Sequence, residues 1–193
     1  MNFKTALAVI AATFSTPAMA HTGADHIVGI ASGFLHPFSG LDHLLAMVAI
    51  GLIAVQLGGP ALWRLPIAFV AAMVAGAATA MTGVKAPLVE TAILASVIIF
   101  GATLIANAKM PLTVAITGTA SLAFFHGFAH GEEGPAAAAF GYILGFVAST
   151  AILHATGIAA CRHLSKYRKI ATTALRIVGT LVMGAGLGLA YVA

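Results

Sequence analysis

The sequence predicts an all-helical integral membrane protein: a cleavable signal peptide followed by six transmembrane helices, the first of them broken. Hydrophobic residues make up 61% of the 193 residues and charged residues only 7%, against about 25% charged in soluble domains. The mean hydropathy is +1.05. Apolar segments of about 20 residues, the length that crosses a bilayer, recur along the chain. The positive net charge does not indicate nucleic acid, because the basic residues lie in short loops.

Residues 1–20 have the three parts of a secretory signal peptide. Lys4 precedes a short apolar segment, and Ala18 and Ala20 form a small-x-small cleavage site. Cleavage would make His21 the first residue of an exported arm that also contains His26 and would capture metal weakly. Two alternatives stay open: an uncleaved first helix, and an arm that is only a solvated tail.

The first membrane region, residues 27–57, is too long for one straight crossing. The segment HPFSGLDH, residues 36–43, interrupts it. Pro37 disfavours a helical conformation at His36. We therefore expect a short helix before His36, a break, and a full helix from about Gly40. Ser39 and Asp42 have the spacing of a capping box.

Five further spans follow, at residues 62–81, 87–106, 111–130, 135–160 and 170–192. Three of them carry small residues four apart, a spacing that favours close helix packing: Ala72, Gly76 and Ala80; Gly141 and Gly145; Gly184 and Gly188. Residues 21–193 are thus predicted to form one six-helix transmembrane domain.

The loop charges predict its orientation. If the mature N-terminus is exported, one outer loop residue is basic, Lys85. The inner loops then carry most of the positive charge: Arg64, Lys109, Arg162, Lys166, Arg168 and Lys169. The positive-inside rule therefore predicts a protein of the bacterial cytoplasmic membrane with both mature termini in the periplasm.

Two clusters of ionisable residues fall at helix ends that this topology places on the outer side. They comprise His36, Asp42 and His43 in the first, and His126, His130, Glu132 and Glu133 in the second. His126 and His130 are four apart and point the same way on a helix. Ionisable groups are costly in a membrane, so the two clusters predict a shared metal or proton site.

Each residue taken alone also has a plainer interpretation. Asp42 would serve only as a helix cap. Any single histidine would be a packed core residue, and one of the two glutamates would be a solvated residue in a turn. Glu90 opens the third span, where it would pair with the helix dipole. His154 is either an exit ligand or a packed polar residue.

The residue types limit which metal ions the predicted site could bind. The chain has 8 His and one Cys, Cys161, which excludes an internal disulfide or a thiolate cluster. Imidazole with carboxylate suits nickel, cobalt, zinc or iron, whereas magnesium and calcium prefer oxygen shells.

Both clusters resemble the signatures of a known family. His36, five residues, then Asp42-His43 is similar to the first signature of the HupE/UreJ family of nickel and cobalt permeases, and FHGFAHGEE, residues 125–133, is similar to the second. The resemblance implies uptake of Ni²⁺ or Co²⁺ for hydrogenase or urease maturation proteins, and the ligand types also allow Zn²⁺ or Fe²⁺ as the cargo. The predicted metal ligands are His36, Asp42, His43, His126, His130 and Glu133. Less certain ligands are His21, His26, Glu90, Glu132 and His154.

Three functions fit these residues. A permease, which is not an enzyme, would hold no permanent cofactor, and its partners would be lipid, the transported ion and maturation proteins. An intramembrane hydrolase would use zinc to activate water, with Asp42 or a glutamate as base, but the sequence has no HExxH motif. An accessory protein would only present metal to a partner. The sequence has no GxxxxGK[ST] motif, so we do not expect the chain itself to be an ATPase. The energy coupling and the oligomeric state stay open.

Overall fold

The computed structural model describes the backbone of residues 25–165 and 168–192, and the side chains of residues 29–164 and 172–192. The predicted signal peptide and His21 lie outside these ranges. Every described element is a helix, and the described residues contain no strand. The helices are α1 (Asp25–Ser39), α2 (Leu41–Leu57), α3 (Ala61–Met81), α4 (Val89–Ala106), α5 (Leu112–Glu133), a short 3₁₀ helix (Ala136–Ala138), α6 (Ala139–Ser165) and α7 (Arg168–Val192).

The helices have the lengths and hydropathy of membrane spans. Five of them, α3 to α7, qualify individually, and α1 with α2 qualify together as a pair bent by 84°. With the bent pair counted as one span, the described residues form up to six spans. The predicted all-helical membrane fold with a broken first helix is confirmed.

The break lies later than the sequence suggested. Helix α1 runs through Pro37 to Ser39, so the predicted departure of His36 from helical geometry is wrong. A proline removes one backbone hydrogen bond. Because Pro37 lies in the last turn of α1, the helix continues for two more residues and ends at Ser39. The extended residue is Gly40, with φ −103° and ψ 120°.

The predicted capping box is also wrong. The Ser39 hydroxyl donates to the His36 carbonyl at 2.6 Å, and α2 begins without a side-chain cap. Asp42 instead accepts from the backbone N–H of His43 at 2.7 Å. Gly40 leaves room for this arrangement, because a Cβ there would lie 2.7 Å from the Asp42 Oδ1.

Helix α5 is longer than predicted, which changes the position of the two glutamates. Gly131 lies inside the helix, and the chain leaves it at Gly134, whose N–H donates to the His130 carbonyl at 2.9 Å. Glu132 and Glu133 are therefore in the last turn and not in a loop. Residues three apart share a helix face, so Glu133 follows His130 on the same side.

Helix α2 lies at the centre of the bundle. It packs against α1, α3, α4, α6 and α7, and 10 of its 17 residues are buried. Asp42 and His43, in its first turn, therefore sit where several helix ends meet. This central position is what brings the first cluster next to the second.

Glycines let the other helices approach one another closely. Of the predicted packing residues, Gly76 faces the backbone of α5 at Phe124 and Gly145 faces the backbone of α1. Gly184 and Gly188 were predicted to do the same, but a Cβ at either would meet no described atom within 4 Å. Helix α7 packs through Gly179 instead. Sequence spacing identifies small residues four apart, but not which side of the helix faces lipid.

Candidate metal-binding site

Four imidazoles meet at one end of the bundle, between the end of α1, the start of α2 and the end of α5. The ring centroid of His130 lies 4.7 Å from that of His36 and 4.8 Å from that of His43. The His43 ring lies 4.7 Å from His126. The four rings thus form a continuous chain from the bundle end inward.

Two carboxylates adjoin this chain of rings. The Asp42 Oδ1 lies 2.9 Å from the His43 Nδ1, and the Glu133 Oε2 lies 3.1 Å from the His36 Nε2. Glu132 points elsewhere, with its Oε1 3.0 Å from the Nζ of Lys85, whose side chain is 83% exposed. Of the two adjacent glutamates, Glu133 therefore belongs to the cluster and Glu132 to a surface ion pair.

Several buried imidazole nitrogens in the cluster lack a protein partner. Among the described residues, no hydrogen bond reaches the Nε2 of His43, the Nδ1 of His126 or either nitrogen of His130. An unpaired buried polar atom costs about 1–3 kcal/mol. Such atoms, gathered in one place, have the chemistry of a ligand-binding site, because each neutral imidazole has a nitrogen lone pair to offer.

Neighbouring side chains fix two of these rings. The Ser96 hydroxyl lies 2.8 Å from the His126 Nε2. The His130 ring stacks on Phe146 at 4.8 Å with an interplanar angle of 11°. With the rings held this way, the Nδ1 of His126 and both nitrogens of His130 have no hydrogen-bond partner among the described residues.

The rings do not yet converge on a single point. Among the described residues, no group of three or more His, Cys, Asp or Glu residues is arranged to hold a metal ion as it stands. The rings of His43 and His126 meet edge to face at 84°, and those of His36 and His130 at 66°. Coordination would require some of them to turn, so ligation by these residues stays a prediction.

The less certain residues lie in different places. Glu90 is exposed in the first turn of α4. His154 is 1% exposed and lies deeper in the bundle, against Phe69 with a centroid distance of 5.1 Å. His26 lies in α1, but its side chain is outside the described set, as is the whole of His21.

Comparisons with known proteins identify the family of the chain. A family model described as "HupE / UreJ protein" matches residues 8–189. The chain belongs to the HupE/UreJ family. It is similar to "Protein HupE" of Rhizobium leguminosarum bv. viciae, with 41% identity over 180 residues that cover 92% of this chain and 93% of the relative. No solved structure matches. This transporter and accessory family is associated with nickel and cobalt uptake for hydrogenase or urease.

Sequence reasoning missed other residues that shape the site of this HupE/UreJ protein. Tyr142 lies 5.7 Å from the His36 ring, and its buried hydroxyl has no partner among the described residues. Ser96, Phe69 and Phe146 each contact a histidine ring. Ser96 had a weak signal, a hydroxyl within an apolar stretch. The aromatic residues had none, because aromatics are common in any membrane helix.

Proposed function

We propose that the chain is a permease that takes up a divalent transition-metal ion, Ni²⁺ or Co²⁺ foremost, for hydrogenase or urease maturation. The observation that carries the proposal is the chain of four imidazoles with buried, unpaired nitrogens beside two carboxylates. Neutral imidazoles and carboxylates together suit a borderline divalent ion. The charge of the ion would offset the burial of the carboxylates.

The exposure of the residues suggests an order of contact. The side chains of His36 and Glu133 are 23% and 57% exposed, so an incoming ion would meet them first. His43 is 9% exposed, and His126 and His130 are fully buried. The ion would therefore exchange water for imidazole step by step, in a site weak enough to release it.

We place this end of the bundle at the periplasmic face of the bacterial cytoplasmic membrane. At the other end, Arg64 lies in the first turn of α3, Lys109 in the loop between α4 and α5, and Arg162 in the last turn of α6. This is the charge distribution that the positive-inside rule requires of the cytoplasmic side. The same orientation puts the C-terminus in the periplasm. A reporter fused there that is active only in the cytoplasm would contradict it.

The main experiment measures uptake of nickel, cobalt, zinc and iron in parallel, by cells that express the chain and cells that lack it. Purified protein in proteoliposomes then separates a permease from an accessory protein or a hydrolase, because only a permease carries the ion across the bilayer. Uptake without preference for nickel or cobalt would change the assigned cargo. No flux of any ion would end the proposal.

Substitutions test the residues. The His36→Ala/His130→Ala double variant should lose uptake while it remains in the membrane. His163→Ala is the matched control, because His163 is exposed at the far end of α6. Normal uptake by the double variant at equal expression would remove these two histidines from the site.

A second set asks whether the histidines act as a unit. His43 and His130 lie 4.8 Å apart, so the loss of either should disable the same site. His43→Ala and His130→Ala should each lose uptake, and the double variant should be no worse than either single variant. Losses that multiply would indicate two independent sites.

A further inference from the structure

A second group of polar and sulfur-containing side chains lies deeper in the bundle than the four imidazoles. Phe146, Thr150 and His154 are four residues apart on α6 and share one face of that helix. Phe146 stacks on His130. Each step of four residues advances about 6 Å along a helix, so His154 lies roughly 12 Å further into the bundle than Phe146.

Two methionines meet Thr150 at this depth. The Thr150 hydroxyl donates to the Sδ of Met47 at 3.3 Å and lies 3.8 Å from the Sδ of Met73. Met47, Met73 and Thr150 are all 0% exposed. Met47 lies one turn beyond His43 on α2, so this group continues directly from the imidazole cluster.

Phe69 links the same group to both histidines. Its ring centroid lies 5.7 Å from that of His126 and 5.1 Å from that of His154. Phe69 and Met73 are one turn apart on α3 and share a face. Phe69 therefore bridges His126 and His154, and Met73 lies one turn from it on the same helix.

Ordinary helix packing does not account for this arrangement. Five other helical threonines donate their hydroxyls to the carbonyl four residues earlier: Thr79, Thr103, Thr117, Thr156 and Thr180. Thr150 instead gives its hydroxyl to sulfur, a weak acceptor. His154 is 1% exposed, and neither of its ring nitrogens has a partner among the described residues.

We infer that Met47, Met73, Thr150 and His154 form a second, uncharged binding station for the transported transition-metal ion. The inference rests on the proposed permease function. Thioether and imidazole are ligands for soft and borderline metals, whereas calcium and magnesium need oxygen shells. The station has no carboxylate, so it would hold a dication more weakly than the outer cluster, and weak holding permits onward release.

Binding is tested first, on full-length protein in detergent with enough Ni²⁺ to fill both the outer cluster and the weaker inner station. Cys161→Ala is the background, because the buried thiol of Cys161 would otherwise be a second source of sulfur. X-ray absorption at the nickel edge should detect sulfur in the coordination shell, and Met47→Leu/Met73→Leu should abolish it. Oxygen and nitrogen alone around nickel in the Cys161→Ala protein would overturn the inference, whether or not the leucine variant folds.

Transport is tested next. Met47→Leu/Met73→Leu and, separately, His154→Gln should lower Ni²⁺ uptake by at least the ~10-fold that loss of a ligand's outer-shell partner costs. The controls are Met183→Leu, on α7, and His163→Gln, at the exposed end of α6. Each control makes the same type of substitution away from the station, at one methionine or one histidine, and should leave uptake unchanged.

The outcomes separate this inference from the proposed function. If the outer His36→Ala/His130→Ala variant loses uptake while both inner variants match their controls, the second station is wrong and the permease stands. If the parent chain carries no metal, the permease proposal fails and the station with it. Loss of uptake in the inner variants, together with the sulfur signal in the Cys161→Ala protein, supports the station.

Discussion

Replacing Gly127 by alanine should disturb both packing and uptake, because this glycine lies between two site histidines and against another helix. A Cβ at Gly127 would lie 2.6 Å from the Cα of Met73 and closer still to its carbonyl. Ordinary contact begins near 3.4 Å. Because the carbonyl contact is the closest, helices α3 and α5 would have to part by more than about 1 Å, and His126 and His130 would move with α5.

Gly118→Ala, on the same helix, is the matched control. A Cβ there would meet no described atom within 4 Å. Both substitutions gain the same helix propensity, about 1 kcal/mol, so the difference between the variants reports the helix contact alone. Overpacking of this kind costs about 1–3 kcal/mol, and each kcal/mol lowers the melting temperature by roughly 2–4 °C in a chain of this size.

Thermal unfolding in detergent and metal uptake at matched expression measure the two effects. Gly127→Ala should melt several degrees below Gly118→Ala and should take up less metal. Equal melting temperatures and equal uptake in the two variants would refute the close approach of α3 and α5. A lower melting temperature with normal uptake would refute only the claim that this contact positions the histidines.

Three further predictions follow from the same structure. In proteoliposomes with equal pH on both sides, uptake should fall as the pH is lowered, because a protonated imidazole cannot bind metal; a rate that stays constant across the acidic range would argue against histidine ligands. Ser96→Ala should weaken uptake at limiting metal about 10-fold, because the hydroxyl fixes the His126 ring; Ser96→Thr should restore it, and full uptake without the hydroxyl would dismiss this role. Intact-mass measurement of membrane-extracted protein should give a chain that begins at His21; a chain that still begins at Met1 would reject signal-peptide cleavage.

Much of the fold could be predicted because the amino-acid composition of a segment shows whether it can span a membrane. Twenty apolar residues with polar ends leave few alternatives to a helix in lipid, and the described helices begin and end within a few residues of the predicted spans. The errors fall at helix ends. Pro37 predicted an early break, but α1 continues to Ser39, and Gly131 seemed to end α5, which continues to Glu133. Such ends depend on tertiary contacts that no local rule contains.

The candidate site could be predicted only in part. The histidines and carboxylates were visible because ionisable residues stand out in apolar sequence. Met47, Thr150 and Phe69 gave no such signal, because methionine, threonine and phenylalanine are ordinary in membrane helices. Their positions relative to one another depend on how α2, α3 and α6 cross, and sequence spacing within one helix does not contain that information.

The glycines and the histidines of the two motifs act together. Gly40 makes room for the Asp42 carboxylate beside His43, and Gly127 and Gly131 let α5 press against α3. A larger residue at either α5 position would hold the two backbones apart, and rings that now lie 4.7–4.8 Å apart would lose contact with α2. The residues between the histidines in HPFSGLDH and HGFAHGEE are therefore not simple spacers. They set the distance between helices at which imidazoles from α1, α2 and α5 can meet.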